Sequence, residues 1–250
     1  MAQPERNMKQ FILLILLARI GPSFAQAPPE EPPPTFRILS ACGSYGGLYY
    51  DADFYGTLKS MPIILNQSLS SPQAWPVDGK LVIYRLIPPP AGAPPETLPT
   101  RQTVMQSDLS KDNVTTIVVT FPSTNDRRGP LRAYLVPDTA KKHKAGTIKI
   151  INFSSHQAMV ALDEKSKQLA SGEIDTMKTD EGRVLVRVGV NKGQGWQVAF
   201  RGERRIAPQL RGYVFVFNYM VDPDYGEDPT PPPALAKIFF EVSAYATETP

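Results

Sequence analysis

Cysteine is almost missing. Cys42 is the only one in 250 residues, so no disulfide can form within the chain and the core alone must hold the fold. Histidine is nearly as scarce, with His143 and His156 alone. One thiol and two separated imidazoles do not build a zinc centre. His143 lies in the run Lys141-Lys142-His143-Lys144, where ammonium groups lower its proton affinity and repel cations. It reads as a solvated linker residue. His156 follows Ser154 and Ser155, but adjacency in sequence does not make a nucleophile and base, and no Gly-x-Ser-x-Gly turn occurs. Excess charge is missing as well. Removing the three bases and one acid of the first 25 residues leaves 24 bases against 23 acids. That balance gives no electrostatic footprint for nucleic acid or an anionic membrane. After residue 25 there is no long apolar run and no sustained helical spacing, so little helix and no membrane insertion of the mature chain are expected.

The acidic loops Asp51-Ala52-Asp53-Phe54-Tyr55-Gly56 and Asp222-Pro223-Asp224-Tyr225-Gly226-Glu227-Asp228 place carboxylates two apart. Neither completes a calcium loop, and nothing fixes two acids at the separation glycoside hydrolysis needs. The inventory therefore predicts no catalytic residue, no metal ligand and no cofactor.

What is present first is an export signal. Arg6 and Lys9 precede Phe11-Ile12-Leu13-Leu14-Ile15-Leu16-Leu17-Ala18, followed by Gly21-Pro22 and the small residues Ser23 and Ala25. This is the order of a secretory signal peptide, residues 1–25, with cleavage after Ala25. Leu39-Ser40-Ala41-Cys42 resembles a lipobox but does not adjoin the apolar run; Cys42 reads instead as a small buried hydrophobe. The expected location is the periplasm or the outside of the cell.

Proline is abundant, with 26 residues, and clustered. Residues 26–35 form an extended leader, and Pro88–Pro99 a rigid connection. Between such breaks lie short β-branched and aromatic runs. Asp78-Gly79-Lys80-Leu81-Val82-Ile83-Tyr84-Arg85-Leu86 is echoed by Glu181-Gly182-Arg183-Val184-Leu185-Val186-Arg187-Val188-Gly189. Three further landmarks repeat in order: Phe36–Leu39 with Ile148–Phe153, Thr116–Thr120 with Tyr213–Phe217, and Arg132–Pro137 with Lys237–Val242. The echo suggests a duplicated module. The expected fold is all-β: two tandem immunoglobulin-like β-sandwich domains, residues 36–140 and 147–243, with a tail at 244–250.

Alternation puts Val184, Val186 and Val188 inward and Arg183 and Arg187 outward. Tyr213–Phe217 is apolar on both faces, so both faces need cover; the neighbouring domain or a loop is the favoured cover, and a partner protein the alternative. Asp163–Asp180 reads as a polar stretch, Gly43–Gly47 as a loop, and Arg201-Gly202-Glu203-Arg204-Arg205 as a solvated basic loop. The aromatic cluster Tyr45, Tyr49, Tyr50, Phe54 and Tyr55 is the candidate binding patch, with Tyr45, Tyr49 and Tyr55 its leading residues.

The second half resembles a set of exported bacterial β-sandwich proteins of unknown function. The likeness rests on the strand Ile150-Ile151-Asn152-Phe153-Ser154-Ser155, a polar loop ending near Gly172, and the strand opening Glu181-Gly182-Arg183. It implies a secreted β-sandwich and no known activity. Periplasmic pilus chaperones are similar in architecture alone, and their signature strand is missing here. The expected function is a non-catalytic binding or structural protein of the envelope that contacts another envelope protein. The alternatives are a carbohydrate-binding accessory module and a pilus-chaperone-like protein.

Overall fold

The computed structural model describes residues 34–41, 43–54, 57–65, 68–109, 115–123, 130–139, 143–218 and 234–242. The expected signal peptide, Cys42, Tyr55, the loop Asp222–Pro233 and the tail lie outside them. Apart from the single 3-10 turn Val77–Gly79, the regular structure of the described residues is all strand, as expected for an all-β chain.

The first half contributes β1 (Phe36–Ser40), β2 (Tyr45–Phe54), β3 (Thr57–Leu65), β4 (Lys80–Ile87), β5 (Thr100–Asp108), β6 (Thr116–Pro122) and β7 (Leu131–Pro137). They form two sheets, ordered β3-β2-β4-β5 and β1-β6-β7, with β1 parallel to β6. Phe36, Ile38, Leu48, Tyr50, Ile83 and Val118 pack between them. The second half contributes β8 (Thr147–Asn152), β9 (Gln157–Leu162), β10 (Lys165–Leu169), β11 (Ile174–Lys178), β12 (Gly182–Asn191), β13 (Trp196–Ile206), β14 (Leu210–Phe217) and β15 (Leu235–Val242). Its sheets are β10-β9-β12-β13 and β11-β8-β14-β15, with β8 parallel to β14. Ile150, Val160, Val186, Val188, Val214 and Val216 fill the space between.

The two strand orders coincide once β11 is set aside. β3-β2-β4-β5 corresponds to β10-β9-β12-β13, and β1-β6-β7 to β8-β14-β15. The repeated sequence landmarks fall on corresponding strands: β1 and β8, β4 and β12, β6 and β14, β7 and β15.

A third core joins the halves. Along β6, Val118 points into the first core while Ile117 and Val119 point the other way. Along β14, Val214 and Val216 serve the second core, and Tyr213, Phe215 and Phe217 face away from it. The two outward sets meet with Leu39, Val136 and Ile151. The result is a stack of four sheets, in which the inner pair is apolar on both faces. Aromatic rings line the seam. Phe215 and Phe217 stack at 6.2 Å, Phe121 of the first half meets Phe217 at 5.8 Å, and Tyr134 meets Phe153 at 4.8 Å.

The structure departs from three expectations. The polar stretch Asp163–Asp180 holds β10 and β11. Each is an edge strand of its sheet, so most of its side chains face solvent and need not be apolar. The basic run Arg201–Arg205 is the second half of β13, not a loop. Of the expected loop Gly43–Gly47, Tyr45, Gly46 and Gly47 belong to β2, which has a register shift between Tyr45 and Leu48.

Because the seam is a core shared by both halves, they are expected to unfold together. Denaturant unfolding followed by tryptophan fluorescence and circular dichroism should give coincident single transitions. Phe215→Ala removes a ring from the middle of the seam and should cost about 3–5 kcal/mol. Two separated transitions in the parent protein would refute the shared core.

Candidate functional site

The seam's most polar region is a buried charge cluster. Asp138 follows β7 and is fully buried. Its Oδ1 lies 3.0 Å from Lys149 Nζ and 3.2 Å from His143 Nδ1. Its Oδ2 lies 3.2 Å from Arg211 Nη2. Glu241, opposite Arg211 in the β14–β15 register, accepts from Arg211 Nε at 2.8 Å and also binds Arg37 of β1. The Tyr213 hydroxyl sits 2.7 Å from Asp138 and 2.8 Å from Glu241, so its single proton serves one carboxylate at a time. Strand parity explains the gathering. Lys149 alternates with Ile148 and Ile150, and Arg211 and Tyr213 with Val214, so the polar set turns to the seam as the aliphatic set enters the second core.

Burial alone would raise the Asp138 carboxyl. The His143 hydrogen bond, the charges of Lys149 and Arg211, and the Tyr213 hydroxyl outweigh it and hold the group far below the usual carboxylate range. Burial and the Asp138 charge push the Tyr213 hydroxyl well above its ordinary value. His143 is thus a buried member of the cluster, not a solvated linker residue. Its neighbouring lysines made it look exposed, but its ring is covered edge-on by Tyr213 at 4.6 Å. Its Nε2 has no hydrogen-bond partner among the described residues. An imidazole beside a carboxylate is the grammar of a general base; here the seam closes both from solvent.

Ser154 and His156 do not pair through their side chains. Ser154 Oγ donates to Asn152 Oδ1 at 2.7 Å, and Asn152 Nδ2 donates to the carbonyls of His156, Leu169 and Ala170. The Asn-x-Ser triplet pins two turns of the second half.

The tyrosine candidates separate. Tyr45 is buried, with Tyr50, in the first core. Tyr50 packs on Phe36 at 5.2 Å, and burial raises its hydroxyl to about 12. Tyr55 lies outside the described residues. Tyr49 faces outward from the β3-β2-β4-β5 sheet, stacked on Tyr84 at 6.2 Å. Arg101 covers Tyr84 at 4.4 Å and pairs with Asp51 at 2.6 Å. Register sets Pro62 beside Tyr49. Leu58 and Ile64, 62% and 66% exposed, share this face.

The other outer sheet, β10-β9-β12-β13, carries a shallow hollow of about 300 Å³ bordered by Met159, Ala161, Trp196 and Val198, with Arg187 and Glu164 among its polar groups. Sequence reading missed it. The one available signal was a tryptophan on a hairpin strand, two residues before an outward valine.

No known family model matches the chain. No curated protein matches it either.

The Asp138 cluster has a pH signature. A carboxyl depressed on folding contributes stability that is complete above its unfolded value near 4 and is lost as pH falls toward its folded value. Stability should therefore decline below about pH 4. Asp138→Asn leaves Lys149 buried without its carboxylate and Arg211 with Glu241 alone, and should cost about 3–5 kcal/mol at neutral pH. The variant should also show a shallower acid decline, measured by urea melts across pH. An unchanged acid limb would remove Asp138 from this role.

Proposed function

We propose that the chain is an exported, non-catalytic binding or structural component of the cell envelope that acts through contacts with another protein. In this reading residues 1–25 are a cleaved signal peptide and 26–35 a leader. Residues 36–140 and 147–243 are immunoglobulin-like domains descended from one duplicated module. The coincident strand orders support the duplication.

The observation that carries the functional reading is the outer face of the β3-β2-β4-β5 sheet. Tyr49, Pro62, Ile64 and Leu58 form an apolar surface on a sheet backed by its own core and by the seam. Exposed apolar area on rigid backing favours a protein partner, because little ordering entropy is lost on binding. The enclosure of Asp138 and His143 supports a binding role over turnover, since a substrate would have to open the seam to reach them. The likeness to exported bacterial β-sandwich proteins belongs to the same reading, and a pilus-chaperone-like role stays an architectural analogy. The carbohydrate alternative loses Tyr45 to the core.

Two measurements test this. Expressed in a host with an export pathway, the mature protein should begin at Gln26 by intact mass. A photo-crosslinker at Ile64 should capture one discrete envelope partner, and Tyr49→Asp with Leu58→Asp should abolish the adduct without lowering the melting temperature. A cytoplasmic, uncleaved chain would overturn export; an adduct insensitive to the double variant would overturn the binding face.

A further inference from the structure

The outer face of the β10-β9-β12-β13 sheet carries an arrangement that folding does not favour. Register places Arg187 directly opposite Arg201, and Arg183 opposite Arg205. All four are exposed, and like charges directly opposite destabilise an antiparallel pair. Arg183, Arg201 and Arg205 form no ion pair among the described residues, and Arg187 reaches only the backbone oxygen of Asp163, at 2.5 Å. Glu203 stands on the same face opposite Leu185 and is likewise without an ion pair there.

The hollow adjoins this guanidinium row, and Arg187 belongs to both. Trp196 is 40% exposed and Val198 66%. Gly189 backs them: an added Cβ would meet Gln197 O at 3.3 Å and Trp196 Cε3 at 3.7 Å, so glycine lets the indole lie against the strand. The hairpin holds Trp196 in place through Gly193 and Gly195, both at positive φ, and through Gly193 N–H donating to Asn191 Oδ1 at 2.9 Å.

We propose that this face binds an acidic saccharide. One sugar ring stacks its C–H face on Trp196, with hydroxyls toward Glu164 and Ser166. The anionic groups of the chain meet Arg187 and Arg201. The hollow's volume lies at the lower limit of small-molecule sites, suited to a ring or two. Guanidinium forks pair with carboxylate or sulfate equally well by geometry. A bound anion also relieves the cross-strand repulsion, against which none of Arg183, Arg201 and Arg205 has an ion pair among the described residues. A single-stranded nucleic acid fits less well, because such sites offer successive aromatic rings and this one offers Trp196 among aliphatic neighbours. The site is separate from the Tyr49 face, so either assignment can fail alone.

The test is calorimetric titration of the mature chain with four probes. They are an oligogalacturonate, a sulfated oligosaccharide, a neutral oligosaccharide of equal length and a single-stranded oligonucleotide. At least one acidic saccharide should bind, more weakly as salt rises, and at least about tenfold tighter than the neutral one. Trp196→Ala, and Arg187→Gln with Arg201→Gln, should each weaken binding about tenfold or more. The double arginine variant should melt at or above the parent temperature, since it removes a like-charge pair, which separates lost recognition from lost folding. The idea is overturned if neither acidic probe binds, if the neutral probe binds as well, if the oligonucleotide binds tighter, or if the variants leave affinity unchanged.

Discussion

Strands β6 and β14 are apolar on both faces, and neither can satisfy that condition inside its own pair of sheets. Ile117 and Val119 on one, and Tyr213, Phe215 and Phe217 on the other, have no partner until the halves meet. Their mutual burial is the constraint from which the four-layer stack follows. It also decides where recognition can occur. Both inner sheets are consumed on both sides, so only the outer sheets, the strand edges and the loops remain for a ligand.

Apolar burial has no direction, and a seam of phenylalanines alone could settle in several rotations. The charge cluster at one end removes that freedom. It draws Arg37 from β1, Asp138 after β7, Lys149 from β8, Tyr213 from β14 and Glu241 from β15. Buried ion networks add little net stability, because desolvation offsets attraction. Their geometric demands are strict, however, and a small rotation of one half would strand Asp138. On this account the aromatic rings supply the adhesion and the cluster supplies the register.

The all-β class and the repeated landmarks were legible because core strands draw on few residue types and alternate with period two. Val184, Val186 and Val188 went inward and Arg183 and Arg187 outward, as alternation required. The two-faced strand Tyr213–Phe217 correctly demanded cover. Edge strands were not legible, because Lys165–Leu169 and Ile174–Lys178 answer to solvent on most sides and carry no apolar period. His143 was misread for a related reason: local charge describes exposure only where tertiary partners are missing, and Asp138 supplies one. The arginine face was hidden by a bulge. Gly189 pairs with Val198 but Val188 with Phe200, so Ala199 is an extra residue. Trp196 and Val198 therefore share a face with Arg201 and Arg205 across a step of three, which no period-two reading connects.

The corresponding strands β4 and β12 show how one scaffold supports two surfaces. Inward positions are interchangeable aliphatics, Leu81 and Ile83 on one, Val184, Val186 and Val188 on the other. Outward positions diverge, with Tyr84 on β4 and Arg187 and Gly189 on β12. Core packing restrains the first set; the second answers to neighbours on the outer face, Asp51, Ser60 and Arg101 around Tyr84 and Trp196 beside Gly189, and to whatever binds there. With sheets stacked about 10 Å apart, the two outer sheets are separated by roughly 30 Å across three cores. The packed seam holds that spacing. Under the proposed assignments, a protein bound at Tyr49 and an acidic saccharide bound at Trp196 would be held at opposite ends of a rigid spacer, so the stack itself would set their separation.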